Sequence, residues 1–290
     1  MHHVTVTRFI FFFSLIACIN VHADLKIGVV APRTYAESAA RWAPLARYLS
    51  AALNEQVQIT PLLGSQLIPS TDSGAFDAYL SHSSHAVYLM EKVGGRALAT
   101  LNTQAGSRFG GVMIAKKDSN IRAAKDVKGK RVSTSTKQSA GAYHFPLYHL
   151  VTHGVQEADL ALVMELKKQD NSLLALENGV VDVAFMRTGV FEQMVAEGAV
   201  NPENYVVVDQ QKTEDFPQVH STALYPEWLF VVVPSKVDDT KSEKLKTILL
   251  GLPPDSDAAI RANIKGFIEP SDLSSVKTML RDLKIPPFDK

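Results

Sequence analysis

A run of small and hydroxyl-bearing residues near the middle of the chain has the composition of an anion-binding turn. Residues 135–141 read Ser-Thr-Lys-Gln-Ser-Ala-Gly, and the later apolar residues recur at helical spacing, which predicts a helix beginning near Ser139. The first amides of a helix have no backbone acceptor, and the helix dipole makes that end positive. The alternative is that Ser139 is an ordinary N-cap. The residues predicted to contact an oxyanion here are Ser135, Gln138, Ser139, Ala140 and Gly141.

Arg187 is the second candidate for an anion contact. It follows an apolar strand directly, and it precedes Thr188, which joins the predicted site. A guanidinium offers five donors in a fixed fork that suits bidentate binding of an oxyanion. The alternative is a salt bridge to Asp182 or Glu192. Tyr143, just beyond the predicted turn, either contacts the ligand or packs against a sheet.

Two loops in the first third of the chain complete the predicted binding site. Arg33, Thr34 and Tyr35 follow the first predicted strand, and Arg33 is either a second cation on the anion or a surface charge. Ser81 and His82 follow the third predicted strand. Both loops are polar, which is typical of segments that face a ligand.

The histidines permit a metal, so an enzyme remains the alternative to a binding protein. His82 and His85 are three residues apart, but no carboxylate lies within that turn, which favours a neutral hydrogen-bonding role. His149 and His153 are one helical turn apart, and they either bind zinc or lie on a solvated face. The enzyme alternative is a metal-dependent periplasmic hydrolase that uses His82, His85 and His220. The sequence has no Gly-x-Ser-x-Gly, His-Glu-x-x-His or P-loop motif, so we predict a protein without catalysis or a cofactor.

The elements that would position these residues alternate between short apolar strands and amphipathic helices. This alternation predicts parallel sheets with helices on both faces, divided into two α/β lobes. We assign residues 24–115 and 227–290 to the first lobe and residues 116–226 to the second, with hinge strands near Gly111–Lys116 and Glu227–Val233. Ligands of open parallel sheets bind beyond the carboxyl ends of the strands, so the polar loops are predicted to face one cleft.

The N-terminus reads as a targeting segment. Arg8 precedes the apolar run Phe9–Ala17, which is too short to span a bilayer. We predict that residues 1–23 are a signal peptide cleaved after Ala23, with lipidation at Cys18 as the alternative. Either outcome predicts an exported protein of the periplasm.

Composition limits the partners. Lysine and arginine total 30 and aspartate and glutamate total 30, so the net charge is zero and no nucleic-acid partner is predicted. The single cysteine lies within the targeting segment, which leaves the folded part without a disulfide. A monomer is predicted.

The order of these motifs resembles the periplasmic phosphate/phosphite/phosphonate-binding proteins of ABC importers, a branch of the type II periplasmic binding proteins. A narrower resemblance is to the periplasmic sensor region of tetrathionate- and thiosulfate-sensing histidine kinases. The motifs that carry this second resemblance are Phe109-Gly110-Gly111-Val112, Arg187-Thr188-Gly189 and Leu224-Tyr225-Pro226-Glu227-Trp228. The resemblance implies two lobes joined by two hinge strands, with a ligand cleft between them. It also implies a small sulfur or phosphorus oxyanion as ligand, namely thiosulfate, tetrathionate, phosphite or phosphonate.

The sequence departs from these relatives at three places. Ser81-His82-Ser83 stands where they commonly have Thr-Asn-Pro, and Gln138 and Ala140 replace expected hydroxyls. Arg187 stands where binders of amine-bearing phosphonates tend to have an acid, which favours an anion without an amine. The sensors continue into a membrane helix and a kinase. We therefore expect this chain to present its ligand to a separate membrane protein, either a histidine kinase sensor domain or an ABC permease.

Overall fold

The computed structural model describes residues 25–289 and consists of two α/β lobes. The predicted signal peptide and Cys18 lie outside the described residues. The strands are β1 (Leu25–Val30), β2 (Val57–Leu62), β3 (Ala78–Ser81), β4 (Arg96–Thr103), β5 (Arg108–Phe109), β6 (Gly111–Lys116), β7 (Arg131–Thr134), β8 (Leu162–Glu165), β9 (Val183–Arg187), β10 (Tyr205–Val207), β11 (Tyr225–Pro226), β12 (Leu229–Val232) and β13 (Ile264–Ile268). The α-helices are α1 (Tyr35–Leu53), α2 (Gly64–Asp72), α3 (Ser83–Val93), α4 (Phe145–Thr152), α5 (Gln169–Glu177), α6 (Val190–Ala196), α7 (Asp239–Leu250), α8 (Asp257–Ala262) and α9 (Ser274–Asp282).

The first lobe is built on a six-stranded sheet. Its strand order is β13-β4-β12-β3-β1-β2. Strands β1, β2 and β3 are parallel. Strand β12 runs antiparallel to both of its neighbours, β3 and β4, and strand β13 runs antiparallel to β4. The sheet is therefore mixed rather than wholly parallel, because β12 and β13 belong to the part of the chain that returns from the second lobe.

The second lobe is built on a five-stranded sheet with the order β10-β6-β9-β7-β8. Its strands β7, β8 and β9 are parallel, and β6 is antiparallel to β9 and β10. Buried residues alternate along β6 and β9 between two separate cores. Met113 and Phe185 belong to one core, whereas Ile114 and Met186 belong to the other. Because successive strand residues point to opposite faces, both faces of this sheet are covered, as the sequence predicts.

The helix that follows the first loop shows how local sequence fixes the elements around the cleft. Thr34 caps α1, and its hydroxyl accepts a hydrogen bond of 3.1 Å from the amide of Glu37. The helix ends at Asn54, which adopts a left-handed conformation with φ of 58°. Trp42 and Leu45 lie on its buried face and pack into the core of the first lobe. The burial of this apolar stripe holds α1 on the sheet, since isolated helices are marginal in water.

Two short strands carry the chain between the lobes. Strand β5 pairs with β11 in an antiparallel two-stranded ribbon, with Phe109 opposite Tyr225. The predicted hinge strand Gly111–Lys116 is β6, which pairs within the second sheet, and the predicted hinge strand Glu227–Val233 contains β12, which pairs within the first. Sheet membership therefore places the crossings a few residues earlier than predicted. The division of the remaining chain into lobe 1 and lobe 2 stays a proposal.

None of the helices within residues 25–289 combines the length and apolar character needed to cross a membrane.

Candidate functional site

The segment between β7 and α4 forms the turn that the sequence predicts. Ser139 caps a π-helical turn, Ala140–His144, and its hydroxyl accepts a hydrogen bond of 3.3 Å from the amide of Ala142. The carbonyl of Ser139 accepts 3.0 Å hydrogen bonds from the amides of Tyr143 and His144. The amides of Ala140 and Gly141 belong to the first turn, so they have no acceptor within the helix. We call residues 139–141 the cradle.

Gly141 lies in direct contact with Arg187. A Cβ at Gly141 would lie 2.6 Å from Cβ of Arg187 and 3.0 Å from Cε2 of Phe109. Both distances are shorter than ordinary van der Waals contact, so only glycine fits without a shift of its neighbours. The fold therefore brings the cradle and Arg187, which the sequence nominated separately, to one place.

The Arg187 guanidinium is partly satisfied by the protein itself. Its Nη2 donates to Oε1 of Glu227 over 2.7 Å, and the guanidinium lies over the ring of Phe109 at 4.8 Å and that of Trp228 at 5.8 Å. Its Nε is buried and has no hydrogen-bond partner among residues 25–289. Stacking on the aromatic faces fixes the guanidinium plane, and Nε remains free to donate to a ligand.

The sequence left a salt bridge to Asp182 or Glu192 as the alternative role of Arg187, and both partners are wrong. Asp182 accepts from Nη2 of Arg131 over 2.7 Å, and Glu192 accepts from the amide of Val219 over 2.7 Å. The acid beside Arg187 comes instead from the second crossing, which is distant in sequence.

His82 supplies a second free donor. It caps α3, and its Nδ1 accepts a hydrogen bond of 3.2 Å from the amide of His85. Burial, with the neighbouring His85, His144 and Arg187, lowers the pKa of His82 well below its usual range, so the ring is neutral at neutral pH. Because Nδ1 accepts, the proton of the neutral ring is on Nε2, and Nε2 is buried without a partner in the described part of the chain.

These groups surround a small cavity of about 40 Å³ between the lobes. Its walls are Val30, Ala31, Pro32, Gly64, His82, Phe109, Ser135, Thr136, Ser139, Ala140, Gly141, Lys167, Gln169, Arg187 and Trp228. Two cationic residues, Lys167 and Arg187, line the cavity, and a third, Arg41, lies near Arg187. Burial, reinforced by the charge of Arg187, lowers the pKa of Arg41 to about 10, which leaves it protonated at neutral pH. The cavity thus has cations in or beside its walls and two buried donors without a partner among residues 25–289, which suits a small anion.

Several predicted site residues lie outside this cavity. The Thr34 hydroxyl caps α1, and the Tyr35 hydroxyl donates to Oε1 of Gln66 over 2.6 Å at an exposed position. The Ser81 hydroxyl lies 2.7 Å from Nδ1 of His85, and the Thr188 hydroxyl accepts a 3.2 Å hydrogen bond from the amide of Gly110. In this conformation these side chains support the loops, and a direct ligand contact from any of them stays a prediction.

Arg33 joins the two lobes rather than facing the cavity. Its Nη2 donates to Oδ2 of Asp170 over 2.6 Å, and its Nη1 donates to Oε1 of Glu197 over 2.8 Å. The hydrogen bonds that Arg33 donates to Glu197 and Asp170 raise its pKa above the ordinary value. Both acids lie in the segment assigned to the second lobe. The ion-pair cluster of Arg33, Asp170 and Glu197, which we call the latch, therefore links the two lobes. A second contact between the lobes joins Nδ1 of His144 to the hydroxyl of Ser84 over 3.0 Å.

A larger cavity of about 250 Å³ lies beside the first and shares His82 with it. Gln138 and Tyr143 line this second cavity, although the sequence placed both in the anion site. Tyr143 is otherwise part of a core of the second lobe, and burial raises the pKa of its hydroxyl. This packing is one of the two roles that the sequence allowed for Tyr143.

Sequence reasoning missed the loop after β8. Lys167 and Gln169 both line the anion cavity, and Oε1 of Gln169 accepts a 2.7 Å hydrogen bond from the amide of Arg187. The amide of Lys167 donates to the carbonyl of Ser135 over 2.8 Å, which ties this loop to the one that leads into the cradle. The signal was available, because β8 is parallel to β7 and its carboxyl end must lie at the same edge of the sheet.

The histidines of the enzyme alternative do not form a metal site. His85 is satisfied by Ser81 at Nδ1 and by Thr71 at Nε2, over 2.7 and 3.0 Å. Nδ1 of His220 donates to the carbonyl of Thr222 over 2.8 Å. Within residues 25–289, the one group of three or more His, Cys, Asp and Glu side chains placed to hold a metal is elsewhere in the fold. The hydrolase hypothesis therefore finds no support.

Comparison with known proteins also points to a binding protein. Residues 27–274 match the family model described as the phosphonate periplasmic substrate-binding protein of ABC transporters. The tetrathionate sensor histidine kinase TtrS of Salmonella typhimurium is 27% identical over 269 residues, which cover 90% of this chain and 44% of the kinase. The chain thus spans less than half the length of this curated relative.

Solved structures share the architecture. PhnD1 from Prochlorococcus marinus, in complex with methylphosphonate, superposes with a TM-score of 0.74 at 15% identity, covering 90% of this chain and 98% of its own. A binding protein component of an ABC phosphonate transporter from Pseudomonas aeruginosa gives 0.72 at 16% identity, covering 90% and 86%. These similarities confirm the predicted two-lobed α/β fold.

Proposed function

The chain belongs to the family of periplasmic substrate-binding proteins of phosphonate ABC transporters, and from this premise we propose that it captures a small oxyanion of sulfur or phosphorus in the cavity between its lobes. The observation that carries the proposal is a pair of buried donors that line this cavity and have no partner in the described part of the chain, Nε of Arg187 and Nε2 of His82. A buried donor without a partner is costly, and an anion that accepts from it removes the cost.

The cradle supplies the remaining contacts. The amides of Ala140 and Gly141 lie at a helix N-terminus, where backbone donors and the helix dipole both favour negative charge. Ser135, Thr136 and Ser139 add hydroxyls to the same wall. The acid Glu227 lies beside these donors, and its carboxylate accepts hydrogen bonds from Arg187 and from the amide of Trp228. A tetrahedral oxyanion with several acceptor oxygens fits such a site better than a cation or a sugar.

We propose thiosulfate, tetrathionate, phosphite and phosphonate as the candidate ligands. The relation to a tetrathionate sensor kinase favours sulfur, and the family favours phosphorus. Isothermal titration calorimetry of the purified protein against these four anions tests the proposal, with a neutral sugar and a cationic amino acid as controls. Tight binding of one anion supports it. Tight binding of the sugar or the amino acid, with all four anions silent, overturns it.

We further propose that binding is transduced by closure of the lobes onto a separate membrane protein, with the binding protein acting as a monomer. Two contacts support this step, because the latch and the hydrogen bond between His144 and Ser84 link the segments that we assign to the two lobes. An anion that contacts both lobes favours the closed state, and it shifts the equilibrium only by its difference in affinity between the states. The receiver is a histidine kinase sensor domain or an ABC permease. Small-angle X-ray scattering tests this step, since tight binding without compaction would contradict it.

A further inference from the structure

A second cluster of ligand-type side chains lies at the C-terminal end of α4, and none of its members lines either cavity described above. His149 and His153 lie one helical turn apart, with their rings tilted to each other and the ring centroids separated by 4.2 Å. Nε2 of His149 lies 2.7 Å from Oδ2 of Asp209, which follows β10. One ligand atom from each of the three residues lies within 4.8 Å of the other two.

The backbone holds Asp209 in an unusual conformation toward this helix. Asp209 has φ of 51°, a left-handed conformation that is uncommon for residues other than glycine. Its amide donates to the carbonyl of Arg122 over 2.7 Å, and its carbonyl accepts from Nε2 of Gln211 over 2.9 Å. Because both sides of the peptide are fixed, the position of the carboxylate beside His149 is built into the fold.

The hydrogen bonds also prepare His153 as a ligand. Its Nδ1 lies 2.7 Å from the carbonyl of His149, so the ring donates there and leaves a lone pair on Nε2. Metal-binding histidines commonly donate their other nitrogen to a backbone carbonyl in this way, which fixes the tautomer and the ring orientation. His153 is exposed, so an ion can reach it from solvent.

The surroundings favour a cation as well. The last carbonyls of a helix carry partial negative charge, and His149 and His153 lie at that end of α4. Two imidazoles and one carboxylate are ligands that Zn²⁺ prefers, at about 2.0–2.2 Å, with a fourth position left for water. Tetrahedral ligands at such bond lengths lie roughly 3.4 Å apart. Nε2 of His149 and Oδ2 of Asp209, now 2.7 Å apart, would therefore separate and give up the proton between them, and His153 would move in to complete the set.

We propose that His149, His153 and Asp209 bind one Zn²⁺ ion. The ion would join α4 to the segment after β10, both in the second lobe. The site is independent of the proposed anion function, because it shares no residue with the anion cavity. The alternative is that no ion binds and that the three residues form only a hydrogen-bonded cluster.

The test uses purified mature protein stripped of metal by a chelator and then dialysed. Titration with zinc chloride in a calorimeter should show one ion bound per chain, and zinc should raise the melting temperature. The substitution His153→Ala should weaken zinc binding at least about tenfold and abolish the thermal shift. Gln156→Ala, an exposed substitution three residues further along, is the matched control and should behave like the wild type.

A second variant keeps the test interpretable. Asp209→Asn preserves the size of the side chain and removes its charge, so it should also weaken zinc binding. Melting temperatures in the presence of chelator separate a lost ligand from a lost fold, because the exposed His153 contributes little to the metal-free core. Absence of zinc binding in the wild type overturns the proposal, and so does an unchanged affinity in both variants.

Discussion

The guanidinium of Arg187 donates to the carboxylate of Glu227 over 2.7 Å, and this ion pair joins the end of β9 to the crossing that returns to the first lobe. The two side chains are 18% and 3% exposed, so the pair is largely desolvated. Breaking such a pair by removing one partner leaves an uncompensated charge, which is strongly destabilising unless another ion replaces it. A bound anion and Glu227 would therefore both interact with the guanidinium of Arg187.

Removing the cation should remove most of the anion affinity. We expect Arg187→Ala to raise the dissociation constant of the cognate anion by roughly 10- to 150-fold, because a hydrogen bond to a charged group contributes about 1.5–3 kcal/mol. Calorimetry measures the change. The matched control is Arg131→Ala, which breaks an ion pair with Asp182 in the same lobe but outside the cavity and should leave affinity unchanged. Equal losses in both variants would contradict the assigned role.

Neutralising the acid should act in the opposite direction. We expect Glu227→Gln to tighten anion binding, because it removes a negative charge beside the ligand and retains an oxygen that can accept from the amide of Trp228. The same change should lower the melting temperature of the ligand-free protein, since Arg187 loses its partner. Thermal unfolding with and without the anion measures both effects. Weaker binding of the anion by this variant would show that Glu227 contacts the ligand favourably.

Adding a methyl group at Gly141 should weaken anion binding more than adding one at a glycine outside the cavity. We expect Gly141→Ala to weaken anion binding and to lower the melting temperature, because the new methyl group would lie 2.6 Å from Cβ of Arg187. Forced repacking of this kind typically costs about 1–3 kcal/mol. Gly251→Ala, at the end of α7, is the control for an added methyl group outside the cavity. Wild-type affinity in Gly141→Ala would argue against a cradle at this turn.

Breaking the latch should open the cleft. We expect Arg33→Ala to increase the radius of gyration of the ligand-free protein and to weaken anion binding several-fold. The partners Asp170 and Glu197 are 27% and 42% exposed, so solvent screens these ion pairs and the effect should be modest. Small-angle scattering and calorimetry check the two effects. Arg47→Ala, which removes an exposed ion pair with Asp257 inside the first lobe, should change neither.

Acid should destabilise the protein through its buried histidines. Burial lowers the pKa of His85 to about 3 and that of His144 to about 4, whereas unfolded histidine titrates near pH 6.5. Below about pH 6.5 the unfolded state therefore binds more protons, and stability falls as the pH drops toward 4, by up to about 1.4 kcal/mol per pH unit for each group. The melting temperature between pH 7 and pH 4 measures the slope.

A histidine variant checks the origin of that slope. His144→Gln should flatten the dependence of melting temperature on pH, because one of the groups that resists protonation is gone. Gln156→Ala, which replaces an exposed side chain that does not titrate, is the control and should retain the wild-type slope. An identical slope in His144→Gln and the wild type would assign the acid sensitivity to other groups.

The sequence predicts the two-lobed fold and the cradle well because both depend on local signals. The predicted helix start near Ser139 is confirmed, and Ser139 is both the N-cap of that turn and part of the cavity wall. The directions of β12 and β13 were not predictable from periodicity, since a strand pattern carries no information about its partner. The sheets in which β6 and β12 pair were not predictable for the same reason, because an apolar strand has the same pattern whichever sheet it joins.

The partners of charged residues were the least predictable part of the site. Arg33 and Glu197 are 164 residues apart, and Arg187 and Glu227 are 40 apart, so no local pattern links either pair. Arg33 was nominated as a ligand contact because it follows a strand end, and that rule identifies a region rather than the direction of a side chain. The same rule, applied to β8, would have found Lys167 and Gln169.

The ribbon of β5 and β11 has a mechanical consequence. Two independent linkers would let the lobes bend, twist and slide, but here the crossings are hydrogen-bonded to each other through Phe109 and Tyr225. The stacked rings of Phe145 and Tyr225, 4.2 Å apart, and the tilted ring contact of Phe109 with Phe145 anchor that ribbon to the start of α4. While the ribbon stays paired, the two crossings cannot move independently of each other, so we expect the lobes to rotate about the ribbon rather than slide past one another. The cradle directly precedes α4, so a ligand bound there lies a few residues from Phe145, on which the ribbon packs.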